Sequence, residues 1–495
     1  GTGNLTVGGA IGDTGAFTTI TIGGGSADGD ITLANIGAST NAAASGAVAV
    51  GNTATETLTL GGTVYNTNNT QTYTAKTGGG NIDITGAATF TTATTDIEFA
   101  TSDVDLSANV IITTGTGGGG NVDFGGAIET DNGSRTLNIN SGTGDVTFSE
   151  AIGLTNSLGG LDVNSTAGDG DGDIIFTKAI GDTSAGVAGT TAVGNSSTNQ
   201  IRFLENTYTF GTGSTTFTTA SGDKIVLEKG GDANTTFTTG ATDITFAGGA
   251  IKLNDGSNLL IDTGSTGGNI TIAEIAGTSL ETVTLDAGSG TTSVGVIGNS
   301  TEIGTLSIGS AENGGITLNG AIVVDDTATF DGPVTLATGA ISVTTTNDDI
   351  TFNHSINGTQ TLTLSSGSGA IVIDGAIGDT GILTALSINA TDGATGTIEV
   401  ANIGATNEGV NTGAISIGNN ATNSLTLDGT IYRTDGTTIY EAKSGGTILL
   451  TGASPHIQTK GDDLTFDLGD LVLSTNGTTT IDTNLGSASA AGTLQ

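Results

Sequence analysis

Along the whole chain, runs of about four residues alternate apolar with polar side chains, turn through a glycine-rich stretch, and then alternate again. In "GSRTLNINSGTGDVTFSEAIG" (Gly133–Gly153) the apolar positions are Leu137 and Ile139, then Val146 and Phe148, and the unit closes on Ala-Ile-Gly. "GTQTLTLSSGSGAIVIDGAIG" (Gly358–Gly378) repeats the plan. The closing isoleucines are Ile128, Ile152 and Ile180, and later Ile275, Ile297, Ile322, Ile356, Ile377 and Ile403, with neighbours about 21 to 34 residues apart. Alternation with period two means that each strand buries one face. A unit of two or three such strands cannot bury that face alone, so it must stack on copies of itself. The predicted fold is all-β: a right-handed parallel β-helix (β-solenoid) of about twenty coils without a capping domain, a rod of about 100 Å at about 4.8 Å per coil. Tandem immunoglobulin-like sandwiches would repeat near every 100 residues, and a left-handed hexapeptide helix would need a six-residue period that this chain lacks.

A second, longer period overlies the first. "GTGNLTVGGAIGDTG" at Gly1 returns as "GSGAIVIDGAIGDTG" at Gly367, identical at nine of fifteen positions. "GNTATETLTLGGTVYNTNNTQTYTAKTGG" (Gly51–Gly79) returns as "GNNATNSLTLDGTIYRTDGTTIYEAKSGG" (Gly418–Gly446), and a weaker copy, "GNSSTNQIRFLENTY", spans Gly194–Tyr208. In the outer copies about 41 residues separate Ala-Ile-Gly-Asp-Thr from this block, against about 15 from Ala179 to Gly194 in the middle one. That difference is read as one coil dropped, which a solenoid tolerates because each coil touches only its neighbours. The expected organisation is one continuous solenoid over 1–495, with sub-modules at 1–150, 151–366 and 367–495. The chain reads as a window within a longer array.

Composition narrows what such a solenoid can do. With 49 Asp+Glu against 10 Lys+Arg the formal charge is −39, which excludes nucleic acid and anionic membrane as direct partners and favours divalent cations. The absence of Cys removes disulfides, thiolate metal sites and thiol catalysis. No stretch approaches 18 apolar residues, so no membrane insertion is expected.

Runs such as "TLNINSGTGDVTFSEAIG", "LTNSLGGLDVNST" and "GGTVYNTNNTQTYTA" resemble the repeats of very large bacterial β-strand-repeat surface proteins, similar in style to filamentous-haemagglutinin-type adhesins. The likeness extends over nearly the whole chain, although the N-terminal secretion domain of the haemagglutinin type has no counterpart in it. The resemblance implies an exported, cell-surface or extracellular fibrous role with no catalytic residues to carry over.

Candidate sites are few. "GDGDGDIIF" places Asp169, Asp171 and Asp173 at alternate positions, hard oxygen donors suited to Ca²⁺. The EF-hand pattern fails there, since Ile174 stands where the loop needs Gly and Ile180 where it needs Glu. The plainer reading is a solvated acidic turn. Arg202, Lys224 and Lys252 fall one coil apart, as do Glu205 and Glu228, with Lys229 beside them. They read as an ion-pair ladder, or alternatively as a polysaccharide site. Tyr65 and Tyr73 return as Tyr432 and Tyr440, and fill a core corner or form an exposed strip. Neither His354 nor His456 has a recurring acidic or serine partner, so no catalytic triad is supported. The chain is therefore expected to be a non-enzymatic structural or adhesive segment that associates with itself end to end and laterally, and to contact cell-surface polysaccharide. A carbohydrate-binding or carbohydrate-cleaving β-helix is the alternative.

Overall fold

The computed structural model of the chain describes residues 3–495 apart from 27, 41–45, 116–117, 132–134, 167–169, 232, 255, 279–280, 300, 311, 313, 392, 405–412, 475–476 and 485–491. Among the described residues every element is a β-strand, and parallel strands stack in a β-solenoid of about 19 turns. This is the parallel β-helix that the alternation predicts. The chain divides into two compact units, Gly1–Ser257 with Asp262–Gly264, and Asn258–Ile261 with Ser265–Gln495.

In the first unit each coil contributes three strands or single-residue bridges, so three ladders run along three faces. On face one the inward side chains are Leu5, Ile31, Leu58, Ile82, Val104, Ile128, Ile152, Ile180, Tyr208 and Phe237, each in register with the next. Face two stacks Ile11, Ile36, Tyr65, Phe90, Ile112, Ile139, Val163, Val193, Phe217 and Phe246. Face three stacks Ile22, Val50, Tyr73, Phe99, Phe124, Phe148, Phe176, Phe203, Leu227 and Leu253. Six rings in that last ladder follow one another face to face from Tyr73 to Phe203, with centroids 4.9 to 5.5 Å apart. Parallel stacking in register sets the spacing, and offset ring contacts add to the area they bury.

The closing isoleucines point inward as the repeat requires: Ile36, Ile128, Ile152, Ile180, Ile377 and Ile403 are buried, and Ile11 is half-buried. They do not form one ladder. Ile11 and Ile36 lie on face two, whereas Ile128, Ile152 and Ile180 lie on face one. Two rungs carry Ile11 through Ile36 to Tyr65, and a single rung carries Ile180 to Tyr208. The missing rung is the coil whose loss the shortened middle copy implies.

The corner before each tyrosine is built by Gly-Asn-x-x-Thr. The Asn195 amide N–H donates to Thr198 Oγ1 at 2.9 Å, and the Asn195 side-chain oxygen accepts from the Ser197 N–H at 2.8 Å. Its side-chain nitrogen donates to Asn164 O at 2.6 Å in the preceding coil. Asn52 and Asn419 repeat all three bonds. The preceding Gly194 has φ +74°, and a Cβ there would lie 2.2 Å from Thr218 O, so only glycine fits. Asn164 and Asn389 are buried one coil earlier, each bonded in both directions to the serine at 141 or 366.

The second unit is built the same way. One of its ladders links Ile356, Ile377, Ile403 and Tyr432, and another runs Phe330, Phe352, Ile373 and Val400. All five tyrosines of the protein are fully buried, which settles their place as core. The two copies differ at one point. Tyr73 Oη donates to buried Gln71 Oε1 at 2.7 Å, whereas position 438, the counterpart of Gln71, is threonine and the Tyr440 hydroxyl has no partner among the described residues. Tyr73→Phe is therefore expected to cost about 1 kcal/mol, and Tyr440→Phe close to nothing or a small gain. Denaturant midpoints of the two variants make the comparison; equal losses would contradict it.

Candidate functional site

The outward side chains carry whatever recognition the solenoid performs, and the first feature of that surface is a rail of acceptors. Asp96 accepts from the Asn121 N–H at 2.8 Å, Asn121 from Asp145 at 3.0 Å, and Asp145 from Asp173 at 2.8 Å, each step climbing one coil. Asp103 and Asn109 serve the next coil in the same way. Turn amides that the ladder leaves free are thus met by an Asx side chain from below, which gives many of the acidic turns a structural use.

Stacking also brings carboxylates together. Asp83, Asp105 and Glu129 are successive outward rungs of face one, and Glu98 and Asp123 are successive outward rungs of face three. Partial burial, then the charge of Asp105, raises the Asp83 carboxyl above its ordinary value. Burial, then Asp103, raises Asp105 against the opposing hydrogen bond from Asn81. Asp123 is raised by burial and by Asp96, Glu98 and Asp145, although a Thr147 hydrogen bond opposes this.

Of the proposed calcium ligands, Asp169 lies outside the described residues. Asp171 is exposed and Asp173 half-buried, and burial followed by the charge of Asp145 raises Asp173. Among the described residues no group of three His, Cys, Asp or Glu is placed to hold a metal ion.

These raised carboxyls give a signed prediction. Between the ordinary value of 3.8 and each raised value, the folded chain holds protons that the unfolded chain has released. Their contribution favours the fold at low pH, is lost as pH rises through that window, and opposes the fold at neutral pH. At low ionic strength the melting midpoint is expected to rise as pH is lowered from neutral toward the window, and millimolar Ca²⁺ is expected to raise it at neutral pH. A midpoint that only falls on acidification, or one that is the same in Ca²⁺ and in chelator, would contradict this.

The cations form the second feature. Lys178, Arg202, Lys224, Lys229 and Lys252 are five of the chain's ten Lys and Arg residues. Arg202 pairs with Glu228 at 2.5 Å and Lys229 with Glu205 at 2.6 Å, each across one coil. Burial acts to raise the Glu205 carboxyl, but the Lys229 hydrogen bond, the Asn206 N–H and the charges of Lys229 and Lys178 outweigh it and hold Glu205 below its ordinary value. The expected ion-pair ladder is thus present at Arg202 and Lys229. Lys224 and Lys252 share its face but enter no ion pair among the described residues.

A shallow groove beside the ladder is lined by Glu150, Leu154, Lys178, Asp182, Glu205 and Asn206, with Leu154 exposed. Elsewhere His354 Nε2 lies 3.5 Å from Asp331, both half-buried. Sequence reasoning missed the six-ring stack and the buried asparagine corners. Phe at the third position of "VDF", "VTF", "IIF" and "IRF", and the recurring Gly-Asn-x-x-Thr, were the available signals. No protein-family model, curated protein or solved structure matches the chain.

Proposed function

We propose that this chain is a structural and adhesive repeat segment of an exported bacterial fibre, sheath or surface layer, self-associating and stabilised by divalent cations. One observation carries the reading. The outermost described coils keep the apolar pattern of interior coils. Leu471 and Leu473 are 41% and 57% exposed, whereas their super-repeat counterparts Val104 and Leu106 are fully buried beneath the strand Ile128–Thr130. Phe17 is 50% exposed, and its counterpart Leu383 is buried. Rungs of this kind gain stability by taking another coil, from the same polypeptide or from another copy, because open strand edges and apolar side chains are covered together. Where the coil comes from another copy, stacking is head to tail and generates open filaments rather than closed dimers. Concentrated solutions of the 495-residue chain in physiological salt are expected to show growing end-to-end species by light scattering and filaments by electron microscopy. A monodisperse monomer under those conditions would overturn the reading.

The groove at Glu150, Lys178 and Glu205 favours a second reading, a carbohydrate-binding surface, because carboxylates, an ammonium and the exposed Leu154 face one hollow. Titration with neutral and acidic oligosaccharides, comparing the chain with a Lys178→Ala/Glu205→Gln variant, tests it. Binding that the variant loses supports a saccharide site, and no binding removes it.

A further inference from the structure

Face three of the first unit is divided by charge. Counting its rungs from Ile22, the outward side chains of the fourth to seventh strands are Glu98, Asp123, Thr147 and Ile175, and those of the eighth to tenth are Arg202, Val226 and Lys252. The outward residues entering the same strands are Asp96, Asn121, Asp145 and Asp173, then Gln200, Lys224 and Ala250. One half therefore carries carboxylates and no cation of its own, with only Asp173 near Arg202. The other carries Arg202, which pairs with Glu228, and Lys224 and Lys252, which enter no ion pair among the described residues, with Asp223 at its corner. Asp123 already feels Asp96, Glu98 and Asp145. A chain of net charge −39 has no general need for such a concentration of cations on one face.

We propose that face three is a self-complementary surface that pairs laterally with face three of a second, antiparallel copy about a twofold axis at the seventh rung. The axis lies along the strands, so rung four meets rung ten and rung six meets rung eight of the other copy. Glu98 then stands opposite Lys252, Asp123 between Arg202 and Lys252, and Asp145 beside Lys224, while on the axis the half-buried Ile175 and Asp173 each meet their twins, the two Asp173 carboxylates lying near Arg202. Apart from the Asp173 pair on the axis, the carboxylates of each half meet the cations of the other, which is what an isologous contact requires. An acidic macromolecule could meet only the basic half and would be repelled by the other. The seven rungs span about 29 Å and the strands about 13 Å, so each partner covers about 400 Å². That is at the small end for a specific contact and makes the pairing weak, salt-sensitive and additive along a fibre.

The inference rests on the self-association proposed above but concerns a different surface, and the two separate by salt. In sedimentation velocity of the 495-residue chain, lateral pairs are expected at about 20 mM NaCl and lost at about 500 mM, whereas apolar end-to-end stacking persists in high salt. Lys224→Glu/Lys252→Glu and Glu98→Lys/Asp123→Lys variants, each checked for a native circular dichroism spectrum, are expected to lose lateral pairing about tenfold or more alone and to recover it when mixed. Zero-length carbodiimide coupling is expected to join Glu98 to Lys252. Those residues are six rungs apart in one chain, so the link can form only between copies. Wild-type pairing by the lysine variant, no recovery on mixing, or a wild-type chain without low-salt pairs would each overturn the proposal. Loss of high-salt species through Leu471→Asp/Leu473→Asp would instead report on the end-to-end contact.

Discussion

Ile152→Asp destabilises the first unit by about 4 kcal/mol or more, while Ile111→Asp two coils away changes stability by no more than about 0.5 kcal/mol. Ile152 is 1% exposed and stacks between Ile128 and Ile180, whereas Ile111 points outward and is 46% exposed. A carboxylate at position 152 would be buried with no cation and no donor aimed at it, so it must either fold charged and unpaired or fold protonated. Either route costs several kcal/mol. Because coils touch only their neighbours, the damage is expected to be local. Hydrogen exchange should show amides of the coils at 128–180 opening together, with those at 57–84 little changed. Similar losses for both variants in denaturant titrations would mean that the register assigned to these strands is wrong.

Phe148→Ala is expected to cost about 3 to 5 kcal/mol, with Phe148→Leu costing less than half of that. The ring sits 5.5 Å from Phe124 and 5.1 Å from Phe176, nearly parallel to both. Truncation removes both contacts and leaves a gap that strand spacing cannot close, because the ladder hydrogen bonds fix the coil-to-coil distance. Denaturant unfolding of both variants measures the effect, and a loss below about 1 kcal/mol for the alanine would contradict the stack's contribution.

The solenoid was legible because period-two alternation at Leu137, Ile139, Val146 and Phe148 leaves each strand one face to bury, and a unit of some 25 residues has nowhere to bury it except on its copies. The inward direction of Ile152 and Ile377 followed from the same pattern. Which face each isoleucine occupies did not, since that depends on how many strands lie between two copies, and turns such as that at Leu154–Ser157 vary in length without breaking the alternation. The pairing of Lys229 with Glu205 could be anticipated from one-coil spacing. The division of face three into acidic and basic halves could not, because it appears only after Glu98, Asp123, Arg202 and Lys252 are set on one ladder. The buried Asn195 and Asn164 were hidden for a different reason: asparagine in a glycine-rich stretch reads as a solvated turn until the neighbouring coil is seen to supply its partners.

The recurrence of one sequence module on different faces bears on how such a gene can change. Ala-Ile-Gly-Asp-Thr sets Ile11 on face two and Ile180 on face one, and Gly-Asn-x-x-Thr follows a face-three strand at Asn52 but a face-two strand at Asn195. Each module is therefore accepted at two different corners, so copying errors in the DNA need not add or remove whole turns to leave a foldable chain. A duplication one strand long is enough. Everything downstream of it is then turned by one third of a revolution, with its interior unchanged. Slippage between near-identical stretches would thus act on this protein as a rotary selector, carrying an existing group of outward side chains to a new side of the solenoid without altering a single residue of that group.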